Sequence, residues 1–180
     1  MPRLTPITQR EQVAEQDRAA FDEIIASRGR INAPQSMLLY APPISARASA
    51  LNDALRELLS EADFEVAVLS AAREFDIDFV WAAHVPAATR AGVRAETIET
   101  IRTRGDLSAL GSRERTIISV GRELVGKHRL SPEAFEHARA ELGDRALVEV
   151  LAAMGYYVMI GCVLIATDME LPDGAERLPR

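Results

Sequence analysis

Apolar residues recur along most of the chain at three- and four-residue spacing, and alternating runs of β-branched residues are missing. This period is that of an amphipathic helix, so the pattern predicts an all-α fold. Glycine and proline divide the pattern into separate segments, because neither residue continues a helix well. The predicted helices span residues 10–27, 35–40, 44–59, 61–74, 78–91, 95–104, 112–127, 131–142 and 145–167.

The last predicted helix contains an uncharged run over residues 150–166, which is 17 residues long. That length is at the lower limit for crossing a membrane. Acidic residues bound the run on both sides, and the Lys/Arg flank that would orient a span is missing. Small residues along the run suit close helix packing. We therefore expect a buried core helix or a subunit-interface helix, and no membrane contact.

Composition narrows the class of protein and of partner. Hydrophobic residues make up 48% of the chain and charged residues 27%, which is typical of a soluble globular protein. The length of 180 residues fits a single domain over residues 1–180. The formal net charge is −6 and the basic residues are scattered, so we expect no nucleic-acid partner. The N-terminal sequence lacks the apolar stretch of a signal peptide, which favours a cytoplasmic location.

Two polar residues lie on apolar faces of neighbouring predicted helices. Glu65 falls within an apolar stripe, and His84 shares its face with Val80, Trp81, Ala88 and Ala91. A short turn near residues 75–77 makes the two helices an antiparallel hairpin. With about 1.5 Å of rise per residue, Glu65 and His84 then lie within about 5 Å of the same height. A buried glutamate is costly without a partner, so we expect the two side chains to pair.

The sequence leaves two interpretations of this pair open. It can perform acid–base catalysis, or it can be a purely structural contact inside a helical core. We do not expect cysteine chemistry at this pair, because Cys162 is the only cysteine and lies in an apolar run where a thiol is unreactive. No metal site is predicted, since two ligands are too few and no third one lies nearby on the same face.

The same segment resembles the carboxymuconolactone decarboxylase family, which includes the alkylhydroperoxidase D-like proteins. The redox branch of that family carries Glu, eleven residues, Cys-x-His-Cys, three residues and His. The outer positions of this pattern fall on Glu65 and His84. The two cysteine positions fall on Ile77 and Val80, and the inner histidine falls on Phe79. The chain thus resembles a branch of the family without the thiols, over a core of about residues 27–172 that precedes a polar tail at 173–180.

The resemblance implies a single-domain helical bundle and argues against a thiol peroxidase, whose chemistry needs both cysteines. It implies instead a cofactor-independent lyase or isomerase that acts on a small carboxylated lactone or related organic acid. His84 would donate the proton, and Glu65 would hold its tautomer. Candidate substrate-binding residues are Arg30, Tyr40, Trp81 and Tyr157. The resemblance also implies a homo-oligomer, either a dimer, a trimer or a hexamer. The alternative is a non-catalytic or ligand-binding member in which the Glu–His pair is structural.

Overall fold

A computed structural model describes residues 2–180, and within that range the chain has nine α-helices and no β-strand. The all-α prediction is therefore confirmed. The helices are α1 (Arg18–Arg28), α2 (Ala33–Leu38), α3 (Pro42–Leu58), α4 (Glu61–Glu74), α5 (Asp78–Arg90), α6 (Ala95–Thr103), α7 (Ser112–Gly121), α8 (Pro132–Leu142) and α9 (Asp144–Ala166). Most boundaries lie within two residues of those predicted, because caps and prolines mark them in the sequence.

Two predicted helices differ from the observed ones. The first was expected to begin at residue 10, but two 3₁₀ turns, Arg10–Gln12 and Glu15–Asp17, precede α1. Val13 between the turns has an extended backbone and is buried, so its packing interrupts the helix. The helix expected over residues 112–127 ends as a regular α-helix at Gly121 and continues as a π-helix over Arg122–Gly126.

The described chain divides into two compact units, each of which has its own interior. The first comprises the chain up to Ala54 together with Cys162–Glu170, and the second comprises Leu55–Gly161 and Leu171–Arg180. The first unit contains a small apolar cluster, whose buried members are Ile7, Val13, Phe21, Ile24 and Leu39. The assignment of the whole chain to a single domain stays a prediction.

Helix α4 is the central element of the second unit, because every residue from Phe64 to Arg73 is buried. The Ser60 side chain caps the helix by accepting a hydrogen bond from the backbone of Asp63. The helix contacts α5, α6 and α7. At its other end Asp76 adopts a left-handed backbone with φ of 52°, and the chain turns directly into α5. The predicted α4–α5 hairpin is therefore observed.

The C-terminal segment of the second unit is anchored to the first turn of α5. The Asp78 carboxylate accepts a hydrogen bond from the backbone N–H of Leu178 at 2.9 Å and contacts the guanidinium groups of Arg177 and Arg180. The Leu178 side chain is buried. A segment that reads as a polar tail in the sequence thus stabilises the start of the helix that carries His84.

Helix α9 is long and apolar enough to cross a membrane by length and composition, with a mean hydropathy of 2.0 over its most apolar 18 residues. Core helices of globular proteins pass the same test. Only 39% of that window is buried within the chain. Leu147, Val150 and Met154 face the interior, as expected of a core helix. An exposed stripe, which we call the α9 face, runs along the other side and comprises Val148, Ala152, Gly155 and Met159.

Helix α9 packs closely against the side chain of Ile77 at Gly161. A methyl group added at Gly161 would clash with Ile77 Cδ1 and would lie 2.7 Å from its Cγ1. We predict that Gly161→Ala lowers the free energy of unfolding by about 1–3 kcal/mol through overpacking, measured by urea denaturation.

Gly155→Ala on the same helix is the matched control for this substitution, because nothing in the chain lies within 4 Å of a Cβ at Gly155. Both variants are measured in a Val148→Glu background, which keeps the α9 face free of a partner chain. The control is expected to leave stability unchanged or to raise it by up to about 1 kcal/mol through helix propensity. Adding Ile77→Val to Gly161→Ala should recover part of the loss. Equal effects of the two alanine substitutions would contradict this packing.

Candidate functional site

Glu65 is a buried carboxylate in the second turn of α4, with a relative exposure of 2%. It sits there because its helix position faces inward with Phe64, Val68 and Leu69, as the helical period predicts. Burial of an unpaired carboxylate costs several kcal/mol, so its two oxygens need partners. The structure supplies a different partner to each oxygen.

His84 of α5 is the partner of the first oxygen. Its Nδ1 lies 2.7 Å from Glu65 Oε2. Because a carboxylate oxygen accepts, Nδ1 carries the proton, and Nε2 is the ring nitrogen left to exchange protons with a ligand. The His84 side chain is 12% exposed, against 3% for Glu65. The imidazole therefore lies between a buried carboxylate and the protein surface, and the predicted pairing of the two side chains is confirmed.

Arg56, near the end of α3, is the partner of the second oxygen, and sequence reasoning missed it. Its guanidinium lies 3.5 Å from Glu65 Oε1 and 4.4 Å from the centre of the Phe64 ring. The Arg56 side chain is 44% exposed. The sequence contains a signal for this contact. Arg56 lies four residues before Ser60, where the chain turns, and Glu65 lies five residues after Ser60. The turn therefore places Arg56 and Glu65 at about the same height. The same reasoning that pairs Glu65 with His84 applies to this pair.

Tyr157 of α9 completes the cluster. Its ring packs edge-on against the His84 ring with centroids 4.8 Å apart, and against the Phe64 ring at 5.8 Å. The Arg56 guanidinium acts to lower the pKa of the Tyr157 hydroxyl, against the larger effect of burial. Burial raises the pKa of Tyr157 above its usual range, so the hydroxyl stays protonated in neutral solution. Tyr157 thus presents a buried aromatic ring and a neutral hydroxyl group beside the imidazole.

The structure brings together only some of the predicted site residues. Glu65, His84 and Tyr157 are in contact, and Trp81 lies buried one helical turn before His84 on α5. Tyr40 belongs to the first unit, is 52% exposed and donates its hydroxyl to the Thr5 carbonyl. Arg30 also belongs to the first unit and is exposed just after α1 ends. Their assignment to substrate binding stays a prediction without support from these contacts.

The positions that the resemblance gives to thiols are part of the apolar core. Ile77 is 1% exposed and Val80 is 2% exposed. The single cysteine, Cys162, is exposed on α9, although the apolar run around it predicts an unreactive thiol. Across residues 2–180, no group of three or more His, Cys, Asp or Glu side chains is arranged to hold a metal ion. The cluster itself consists of a carboxylate, an imidazole, a guanidinium and a phenol.

The shared use of Glu65 predicts a measurable stability effect. We predict that Glu65→Gln lowers the free energy of unfolding by about 1–3 kcal/mol, because His84 and Arg56 lose a charged acceptor in a buried place. Urea denaturation of the variant beside Glu57→Gln checks this, since Glu57 is an exposed residue of α3 and should change stability by less than about 0.5 kcal/mol. Indistinguishable unfolding curves for the two variants would contradict the importance of the pair.

Comparison with known proteins identifies the fold of this chain. No family model matches the chain, and no curated protein sequence matches it. Similar solved structures include the following two. One is the alkylhydroperoxidase AhpD core of an uncharacterized peroxidase-related protein from Ralstonia eutropha JMP134, with a TM-score of 0.75 and 15% identity over 96% of this chain and 93% of that one. The other is a cysteine-to-alanine variant of the debrominase Bmp8 in complex with 2,3,4-tribromopyrrole, with a TM-score of 0.73 and 14% identity over 96% of this chain and 95% of that one. Because the likeness spans nearly the whole of each chain, this protein has the alkylhydroperoxidase D-like fold.

Proposed function

We propose that this chain is a cofactor-independent lyase that acts on a small carboxylated lactone or a related organic acid by acid–base catalysis. The observation that carries the proposal is the 2.7 Å contact between Glu65 Oε2 and His84 Nδ1. It holds the imidazole in one tautomer and directs Nε2 away from the carboxylate, which is the arrangement of a histidine that transfers protons. The partial exposure of His84 gives its proton a route to solvent.

The reaction that suits this pair is the loss of CO₂ from an acid whose remaining carbon skeleton can delocalise an electron pair. The C–C bond to the carboxylate breaks, CO₂ leaves, and the electron pair stays on the substrate as an extended enolate. Protonated His84 delivers its Nε2 proton to that carbanion and takes up another from solvent. Glu65 stabilises the protonated ring through Nδ1 and does not exchange its own proton.

One of the two similar structures supports a small ring-shaped substrate. The debrominase of the same fold has been determined with 2,3,4-tribromopyrrole, a small ring compound. Thiol peroxidation is disfavoured here, because that chemistry needs one thiol to be oxidised and a second to resolve it. This chain carries Cys162 alone, and Ile77 and Val80 stand at the thiol positions that the resemblance gives.

The competing proposal is a ligand-binding protein without catalysis, in which the Glu–His contact only stabilises the helix packing. The low exposure of Glu65 favours it, since buried ion pairs often serve packing specificity. The two proposals differ in what happens when Nε2 is removed and the fold is kept.

The deciding variant is His84→Gln, whose amide can still donate to Glu65 but cannot act as an acid near neutral pH. We predict that turnover falls by about 10²–10⁴-fold. Turnover is measured as the release of CO₂ from a panel of small carboxylated lactones and organic acids. His137→Gln is the matched control, because His137 is an exposed histidine on α8. Unchanged turnover in His84→Gln, or release of CO₂ from no member of the panel by wild type, would favour the binding protein.

We also propose that the α9 face is covered by a second copy of this chain. Val148 is 64% exposed and Met159 is 37% exposed, with the small residues Ala152 and Gly155 between them. Exposed apolar patches of this kind are typical of subunit interfaces. Because the residues recur at three- and four-residue spacing along one helix, a partner helix can pack closely against them.

Analytical ultracentrifugation tests the α9 face directly. Val148→Glu is expected to lower the sedimenting mass from oligomer to monomer, because it places a charge at the most exposed apolar residue of the stripe. Phe135→Glu changes an exposed apolar residue of α8 and is expected to leave the oligomer intact. A monomeric wild type would contradict the proposal.

A further inference from the structure

We propose that Arg56 is the anion-binding residue of this site, and that a carboxylate of the ligand binds its guanidinium beside the Glu65–His84 pair. The inference rests on the proposed function for its catalytic consequence, but the binding of the anion can be measured without turnover. Three features of Arg56 support it: its exposure, its fixed position and its place on the shared carboxylate.

The exposure of Arg56 differs sharply from that of its acidic partner. Its side chain is 44% exposed, whereas that of Glu65 is 3% exposed. The 3.5 Å separation from Glu65 Oε1 is longer than a hydrogen bond of about 2.7–3.2 Å. A guanidinium has five N–H donors. The single long contact to Glu65 leaves donors on the exposed side for the two oxygens of a ligand carboxylate.

The position of the guanidinium is nevertheless held. The Phe64 ring lies under it at 4.4 Å, and Glu65 Oε1 lies 3.5 Å from it. An arginine stacked on an aromatic ring loses less side-chain freedom on binding a planar carboxylate. This arrangement is that of a binding residue, because a flexible surface arginine would have to be ordered by the ligand itself.

Arg56 and His84 contact opposite oxygens of the same carboxylate. A ligand anion on Arg56 therefore places the remainder of a small organic acid within reach of the imidazole. An anchor of this kind stabilises the bound substrate and the transition state equally, provided the anchored carboxylate does not react. Its loss then raises KM and leaves kcat nearly unchanged.

The binding experiment uses succinate as the anionic probe and succinamide as its neutral counterpart, both titrated by calorimetry into the full chain. We expect wild type to bind succinate and not succinamide, and Arg56→Gln to lose at least about tenfold in succinate affinity. Arg47→Gln is the matched control, since Arg47 is an exposed arginine of the same helix whose guanidinium donates to the Pro43 carbonyl. It should bind succinate as wild type does.

Two further variants keep the test decisive. Arg56→Lys retains the charge without the planar fork and should bind succinate with intermediate affinity. Arg56→Ala should regain succinate binding when guanidinium ion is added, which a loss of folding would not allow. Equal affinity in wild type and Arg56→Gln, equal binding of succinamide, or no binding of succinate by wild type would each overturn the assignment.

The experiments distinguish a wrong anion site from a wrong lyase activity. If the anion site is correct and the lyase is not, succinate binding depends on Arg56 while no panel substrate releases CO₂. If the lyase is correct and the anion site is not, CO₂ release depends on His84 while Arg56→Gln keeps the wild-type KM. If both are correct, His84→Gln still binds succinate, and Arg56→Gln raises KM at least about tenfold with a nearly unchanged kcat.

Discussion

A carboxylate buried on an apolar helix face is the constraint around which the second unit is arranged. Glu65 is tolerated there because both of its oxygens contact a group that carries or can carry positive charge. Those groups come from α3 and α5, the helices that precede and follow α4 in the chain. The site is therefore a local product of three consecutive helices joined by short turns, with only Tyr157 contributed from the distant α9.

This origin explains which parts of the site can be predicted from sequence. Glu65 and His84 can be paired from helical period and turn position alone, because neither depends on distant contacts. The position of Arg56 relative to Glu65 follows from the same spacing argument. Arg56 is one of many arginines, however, and it does not stand out on an apolar face. Only residue type and nearness to the core in sequence suggest Tyr40 and Arg30, and the hydrogen bond of the Tyr40 hydroxyl lies within the first unit.

The fold prediction is limited in the same way, because local sequence determines helix boundaries but not contacts between distant segments. Helix boundaries marked by caps, such as Ser60 at the start of α4, follow from local chemistry and were predicted closely. The late start of α1 depends on the burial of Val13 in the first unit, and the exposure of the α9 face depends on which side of that helix the chain covers. Both are tertiary properties, and apolar spacing along one segment does not contain them.

The contact between Ile77 and Gly161 restricts how this chain can change over evolution. Ile77 occupies one of the positions that the resemblance gives to a thiol, and its side chain fills the space that the missing Cβ of Gly161 leaves open. Replacement by the smaller cysteine would open a void against α9, so introducing thiol chemistry calls for a compensating change at residue 161 as well as two new cysteines. The contact between the two residues thus couples position 161 to any replacement of Ile77 by cysteine.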